Sequence, residues 1–303
     1  MKLAVVGSLN MDMAVTTPRI PGRGETVLGD ALHISPGGKG ANQAFALARL
    51  GAGVTLFGCA GDDDFGRRLT DNLAQSGVGI GHIHHLPGVQ TGVAMITVDA
   101  SDNTIVVIPG ANARVDRDYI DQVRPWLLQS DLVMMQLEIP LDTVVYVSDL
   151  CHAAAIPILL NPAPAARLPA GLLDQVRWIT PNEHEARLVY GYEGPLEDLL
   201  VRYPGKLIVT LGASGSVMAD GNGQIIRTPA VPAHVIDTTG AGDTFNAALA
   251  YAICHGFENR QALSFANAAA GISTEHLGAQ AGMPSYRQVM DRMASAAAAD
   301  PVE

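Results

Sequence analysis

Short apolar runs that end in glycine or a polar turn recur along the chain. The first is LAVVG at residues 3–7, and similar runs lie at 54–57, 131–136, 156–160, 178–180 and 207–211. A β-branched run of this length closed by glycine predicts a buried strand. Between these runs the apolar positions follow a helical period, predicting helices over 41–50, 65–76, 141–154, 183–190, 244–254 and 261–273. Strand–helix alternation at this spacing predicts a mainly parallel sheet covered by helices, an α/β fold.

Two segments break the rhythm. Residues 12–34 are rich in Pro, Gly and Thr, and residues 92–109 hold two alternating runs, VAMITV and TIVVIP, around a turn at 100–103. They are either plain surface hairpins or one small β-sheet laid over an edge of the main layer. The second reading has a stronger motive, because a cover near the strand ends excludes water from a reactive site. No linker or internal repeat interrupts the chain, so residues 1–303 are expected to form one domain carrying these two lid segments. The tail from Met293 (MASAAAAD) reads as a fraying helix end.

Composition narrows the function classes. Of 303 residues, 48% are hydrophobic and 16% charged, which excludes a disordered chain. The formal net charge of -11 repels nucleic acid and anionic membranes, so neither is an expected partner. Anionic substrates would then need a local positive feature, a helix N-terminus or a metal ion. Three scattered cysteines (Cys59, Cys151 and Cys254) and no CxxC argue against a disulfide framework and fit a reducing cytoplasm. The start, MKLAVVGSLN, lacks a signal-peptide pattern, and no apolar stretch approaches the ~20 residues of a membrane helix.

Four motifs carry candidate chemistry. In DTTGAGDTF (237–245), the small residues Gly240, Ala241 and Gly242 precede a helical pattern. Free N–H groups at such a start hold developing negative charge. Asp243 then sits in the first turn, placed to take a proton from an attacking hydroxyl, or alternatively to cap the helix. A helix N-terminus favours an ionised carboxylate and so makes it a weaker base. Phosphoryl transfer through a loose transition state tolerates this, since the base acts by orientation and late proton uptake. In PGGKGANQA (36–44) the spacing departs from the GxxxxGK[ST] phosphate loop. Its glycines permit close approach, and Lys39 and Asn42 offer donors to hydroxyls, although a bare glycine-rich helix start explains the motif equally well. Asn10 and Asp12, two apart on an extended segment, point the same way and suit paired hydroxyls of a polyol, or form a polar turn. In TPNEHE (180–185), Asn182 and Glu185 have the spacing of a capping box and equally that of polar groups near a metal-bound triphosphate. Glu138 follows a strand at its C-terminal end, where α/β sites collect ligands. His82, His84 and His85 lie in a glycine-rich connection and read as surface histidines rather than metal ligands.

Together these motifs resemble the ribokinase family of carbohydrate kinases. GGKGAN near the start and DTTGAGDTF near the end, in that order, carry the resemblance. It extends through GSLNMD (7–12), PGRGET (21–26), GDDDFG (61–66), GANA (110–113), MQLEIP (135–140), LNPAPA (160–165), TPNEHEA (180–186), TLGASG (210–215) and GAQ (278–280). The resemblance implies a ribokinase-like three-layer α/β/α sandwich with a β-sheet lid, a homodimer formed through that lid, and transfer of the ATP γ-phosphate to the hydroxymethyl oxygen of a sugar, D-ribose first. By matching motif, Asp12, Gly38, Lys39, Asn42 and Glu138 would hold the sugar, with Asn10 beside them. Asp243 would be the base, and Gly240, Ala241 and Gly242 the anion hole. Asn182 and Glu185 would serve the phosphate–magnesium region. Thr210, Gly212 and Gly215 would line the ATP site, with Asn267 beside adenine. The family's monovalent cation, usually potassium, would lie near Asp237, Thr239, Ser273, His276 and Gly278. Two departures stand out. Gly282 occupies the position of a serine that family members carry after GAQ, and the stretch between Tyr190 and Lys206 is shorter than usual.

Overall fold

The computed structural model describes residues 1–99 and 103–299. The apolar run at the start forms β1 (Lys2–Val6). The chain then leaves the main layer for an antiparallel pair, β2 (Asn10–Thr16) and β3 (Ala31–Gly37), and returns in α1 (Lys39–Arg49). Next come β4 (Gly53–Gly61), α2 (Asp64–Gln75) and β5 (Gly79–Leu86). A second excursion forms β6 (Gly92–Val98) and β7 (Asn103–Ile108). The remainder alternates as predicted: α3 (Arg117–Leu127), β8 (Leu132–Met135), α4 (Leu141–Ala153), β9 (Ile158–Leu160), α5 (Ala170–Gln175), β10 (Trp178–Ile179), α6 (Glu183–Tyr190) and α7 (Leu196–Arg202). It ends with β11 (Ile208–Thr210), β12 (Ser216–Ala219), β13 (Ile225–Thr228), α8 (Ala241–Cys254), α9 (Asn259–Ser273) and α10 (Tyr286–Ala299).

Six strands form an all-parallel sheet in the order β10-β9-β8-β1-β4-β5. Because strand side chains alternate, its two faces feed two separate cores. Leu3, Val5, Leu132 and Met134 pack with α1, α2, α8, α9 and α10 on one face. Ala4, Val6, Val133 and Met135 pack with α3, α4, α5, α6 and α7 on the other. This is the expected α/β/α layering. No helix among the described residues is long and apolar enough to cross a membrane.

The two excursions make one four-stranded sheet, β3-β2-β6-β7, with β2 and β6 parallel and the outer pairs antiparallel. The expected lid segments 12–34 and 92–109 thus pair with each other. The expected turn at 100–103 falls outside the described residues, apart from Asn103, which opens β7.

Several expectations need correction. The run 207–211 does not extend the parallel sheet as a regular strand. β11 belongs to an antiparallel sheet, β11-β12-β13, and meets the edge of the main sheet only through parallel bridges Ile179–Leu207 and Asn182–Thr210. The histidines do not lie in a connection: His82, His84 and His85 are on edge strand β5. His82 stacks on Phe57 at 5.0 Å and lies 4.8 Å from Trp126, while His84 meets Tyr119 edge-on at 4.9 Å. The glycines at 79 and 81 hide this strand in the sequence. Helix α3 is hidden by Pro125 within it, although Asp116 caps its start by accepting from the Tyr119 N–H at 3.0 Å. The tail from Met293 is a helix end as expected, closing α10 up to Ala299 within the described residues.

Candidate active site

The site gathers at the C-terminal ends of the parallel strands, where an open α/β sheet leaves loops free to collect ligands. From β1 the chain runs through Ser8 into Asn10; from β8 it runs into Gln136 and Glu138. Glu138 Oε2 accepts from the Ser8 hydroxyl, from the Lys39 N–H at 2.9 Å and from Asn10 Nδ2 at 3.3 Å. Asn112, in the 3-10 turn Gly110–Arg114, accepts from the Leu9 N–H at 2.9 Å and donates to Asn10 Oδ1 at 2.7 Å. Asn10 is 1% exposed, and both ends of its amide are bonded within the protein. It therefore meets the site through Glu138. Ser8 and Asn112 are functional neighbours that sequence reading missed; Asn112 lies in the GANA stretch, which is the one available signal.

Asp12, two residues further along β2, lies on the lid face turned to Glu138 and Asp243. Burial and then the charges of Glu138 and Asp243 push its carboxyl up to about 7, against the opposing pull of Lys39. Burial alone would lower the Lys39 ammonium, but Asp243, Glu138, Glu185 and Asp12 outweigh it and hold the pKa above the ordinary lysine value. One cation thus balances four carboxylates from the lid, β8, α6 and α8. Burial also raises the carboxyl of Glu185.

Asp243 is in the first turn of α8 and is 5% exposed. Its carboxylate accepts from Asn42 Nδ2 at 2.9 Å and from Gln43 Nε2 at 3.1 Å, both from α1. The alternative of a helix cap does not hold, because α8 has no side-chain cap and begins on Gly240 in a left-handed conformation, φ 78°. A side chain at Gly240 would also strike Ala279, its Cβ falling 2.8 Å from that residue's Cβ. At Gly242, by contrast, an added Cβ would meet nothing within 4 Å, so space stands open beside this helix start, while the Ala241 N–H donates to the Thr238 carbonyl at 3.1 Å.

That open space is a cavity of about 670 Å³, within the usual range for small-molecule sites. Thr210, Gly212, Gly215 and Asn267 line it, as do Ala241 and Gly242. The shape and the uncapped helix start suit a nucleotide with its phosphates toward α8. Sequence reading missed the apolar wall, which includes Val231, Val235 and Phe245. The Pro- and Ala-rich run 229–233 was its signal. Asn267 donates Nδ2 to the carbonyls of Thr228 and Pro229, at 3.0 and 3.2 Å, so its NH₂ is committed to the backbone.

Asn182 and Glu185 do form a capping box: Glu185 N–H donates to Asn182 Oδ1 and Asn182 N–H to Glu185 Oε2, each at 2.8 Å. They do not line the cavity, yet Glu185 is in electrostatic reach of Lys39 and Asp243. The box and a place beside the phosphate path are therefore compatible.

Behind α8, Asp237 accepts from the Thr239 N–H at 2.9 Å and the Gly278 N–H at 2.8 Å. Burial would raise its carboxyl, but these bonds hold it below the ordinary value. Ser273 is buried at the end of α9, and His276 is exposed in the loop that follows. The Ser273 carbonyl is 2.1 Å from where a Cβ on Gly282 would stand, so the missing serine is excluded by the backbone itself. The ionised Asp237 carboxylate is a hard oxygen donor of the kind a monovalent cation takes. Among the described residues, no group of three or more His, Cys, Asp or Glu side chains converges as a metal cage.

Residues 1–286 match the model of the pfkB family carbohydrate kinases. The chain is 42% identical to the ribokinase of Bacillus subtilis over 287 residues, covering 95% of this chain and 97% of that protein. It is 40% identical to the ribokinase of Lactococcus lactis over 96% of this chain and 97% of that one. The structure of Arabidopsis thaliana ribokinase complexed with ribose and ATP superposes with a TM-score of 0.86 at 29% identity, over 96% of this chain and 98% of that one. The chain belongs to the pfkB family of carbohydrate kinases, phosphotransferases with an alcohol group as acceptor.

Proposed function

We propose that the protein phosphorylates D-ribose at its hydroxymethyl oxygen with ATP as donor. The observation that carries this reading is the position of Asp243. Its carboxylate is held by two amides of α1 on the sugar side, while the open start of its own helix faces the nucleotide-sized cavity. The similarity to ribokinases over nearly the whole chain supports ribose as the acceptor.

In this reading the chain 1–303 acts as one kinase unit. Asp12, Gly38, Lys39, Asn42 and Glu138 hold the sugar hydroxyls, with Asn10 bracing Glu138. Asp243 orients the hydroxymethyl group and takes its proton as the new O–P bond forms and the bond from the γ-phosphorus to ADP breaks. The N–H groups of Gly240, Ala241 and Gly242 face the charge of the moving phosphoryl group. Thr210, Gly212, Gly215 and Asn267 seat the nucleotide. Asn182 and Glu185 would hold the magnesium region, where magnesium would neutralise triphosphate charge. Asp237 and Thr239, with carbonyls near Ser273, His276 and Gly278, would hold potassium and stiffen the loop behind α8. All three cysteines are free, in keeping with a cytoplasmic enzyme.

The test is a panel of D-ribose, 2-deoxy-D-ribose, D-fructose and pseudouridine with Mg-ATP, read as ADP formed. D-ribose is expected to give the highest kcat/KM. A higher value for another acceptor would move the assignment to that acceptor, and no turnover across the panel would favour a sugar sensor on a kinase fold.

A further inference from the structure

The Asp243 carboxylate ends a chain of side-chain amides that begins well outside the site. Asn72, half-buried on α2, donates Nδ2 to Gln280 Oε1 at 2.7 Å. Gln280 donates Nε2 to Asn42 Oδ1 at 3.0 Å, and Asn42 donates Nδ2 to Asp243 Oδ2 at 2.9 Å. Gln280 and Asn42 are both buried.

This chain has one allowed polarity. An ionised carboxylate can only accept, so Asn42 must turn its NH₂ to Asp243 and its carbonyl away. Gln280 must then donate to that carbonyl and present its own carbonyl to Asn72. Reversing any amide sets oxygen against oxygen in a buried place, where an unmade hydrogen bond is costly. The second tie to the carboxylate, from Gln43, has its own direction set by Gln136, whose Nε2 donates to Gln43 Oε1 at 2.6 Å. For Asn42 the corresponding partner of the amide carbonyl is Gln280, in the loop after α9.

We propose that Gln280 is a positioning residue for phosphoryl transfer: by donating to the Asn42 carbonyl it holds Asn42 in the one orientation in which its NH₂ reaches the Asp243 carboxylate. The inference rests on Asp243 acting as the base. It also links the site to the loop that carries Gly278 and Gly282. The charged groups tied to this loop and chain are Asp243, Asp237 at Gly278, and Arg49, whose Nε donates to the Met283 carbonyl at 3.2 Å.

The test compares Gln280→Met, Asn72→Asp and Asn72→Ala with the parent enzyme, with kcat and KM for the sugar read separately at one pH. Gln280→Met removes the donor to Asn42 at nearly constant volume and is expected to lower kcat by about tenfold to a hundredfold, more than it raises KM. Asn72→Asp should invert the chain from its far end and cost about tenfold in kcat. Asn72→Ala, which leaves the polarity to be set by Asp243, should stay within about twofold. A Gln280→Met variant with the parent's kcat overturns the proposal, as does an Asn72→Asp variant equal to Asn72→Ala. The half-buried Asn72 pair decides the matter if Gln280→Met folds poorly. If the parent prefers another sugar, the ribose assignment falls, while the same comparison on that sugar still judges Gln280.

Discussion

Asp243 and Asp12 face one small volume with opposite requirements. Asp243 must receive a proton during turnover, and each of its carboxylate oxygens accepts one hydrogen bond from α1, Oδ2 from Asn42 and Oδ1 from Gln43. Asp243→Asn is expected to lower kcat by about 10²–10⁴-fold. Sugar affinity by calorimetry should change far less, because Asp12, Lys39 and Glu138 remain. A near-normal kcat would show that the proton leaves by another route. Asp12 carries an electrostatic penalty in the unliganded protein, since burial, Glu138 and Asp243 push its carboxyl up to about 7. A carboxyl whose folded pKa is raised contributes stability that is full below its unfolded value near 3.8 and is lost as pH rises through 7. Asp12→Asn removes that loss. It should stabilise the sugar-free protein by on the order of 2–4 kcal/mol at pH 8 and by little at pH 4, while weakening ribose binding. Denaturant titrations of both proteins across this range would reveal parallel stability curves if Asp12 carries no such penalty. Asp243, Lys39 and Glu138 were legible in the sequence, because each sits in a motif or at a strand end. Ser8, Gln43 and Asn112 were not, because a short polar side chain next to a glycine turn looks the same whether it braces a carboxylate or faces water.

At the level of elements, the start of α8 and the loop behind it form one device. Gly240 lets the helix begin without a side chain against Ala279, and Asp237 ties the preceding turn to Gly278 across the loop. Most of the cation donors proposed there are backbone carbonyls, which do not depend on residue type. Potassium is therefore expected to raise the rate above sodium even though Gly282 supplies no hydroxyl. Gly282→Ser should abolish that response, since its Cβ would meet the Ser273 carbonyl at 2.1 Å and displace the loop. Equal rates in sodium, potassium and a large organic cation would remove potassium from the scheme. The sequence placed the helix after the glycine turn correctly to within three residues, because helical periodicity and the small residues agreed there. It failed on β5, where glycines interrupt the pattern, and on β12 and β13, where short antiparallel strands carry too little period to be distinguished from turns.

For the molecule as a whole, the lid presents two faces. One carries Asp12 toward the site. On the other, the register lines up Ile34, Met13, Met95 and Val106 as a row across all four strands. Met95 is 48% and Val106 64% exposed, and β7 is an open edge. An apolar row of this kind at an unpaired edge is a pairing surface, so the protein is expected to be a homodimer joined through its lids. Met95→Lys with Val106→Lys should give monomers by sedimentation velocity; a parent that sediments as a monomer would end the dimer proposal. The amino-acid sequence by itself determined the alternation of strands and helices, the glycine start of α8 and the residue types available for chemistry, since periodicity, glycine and charge act over a few neighbours. Only the tertiary structure decided which polar groups meet. Glu138 finds Ser8 and Lys39, Asp243 finds Asn42, and Asn42 finds Gln280, across more than ninety residues each, because the strand order brings those strand and helix ends together and every buried donor and acceptor must then be matched with whatever the fold has placed beside it.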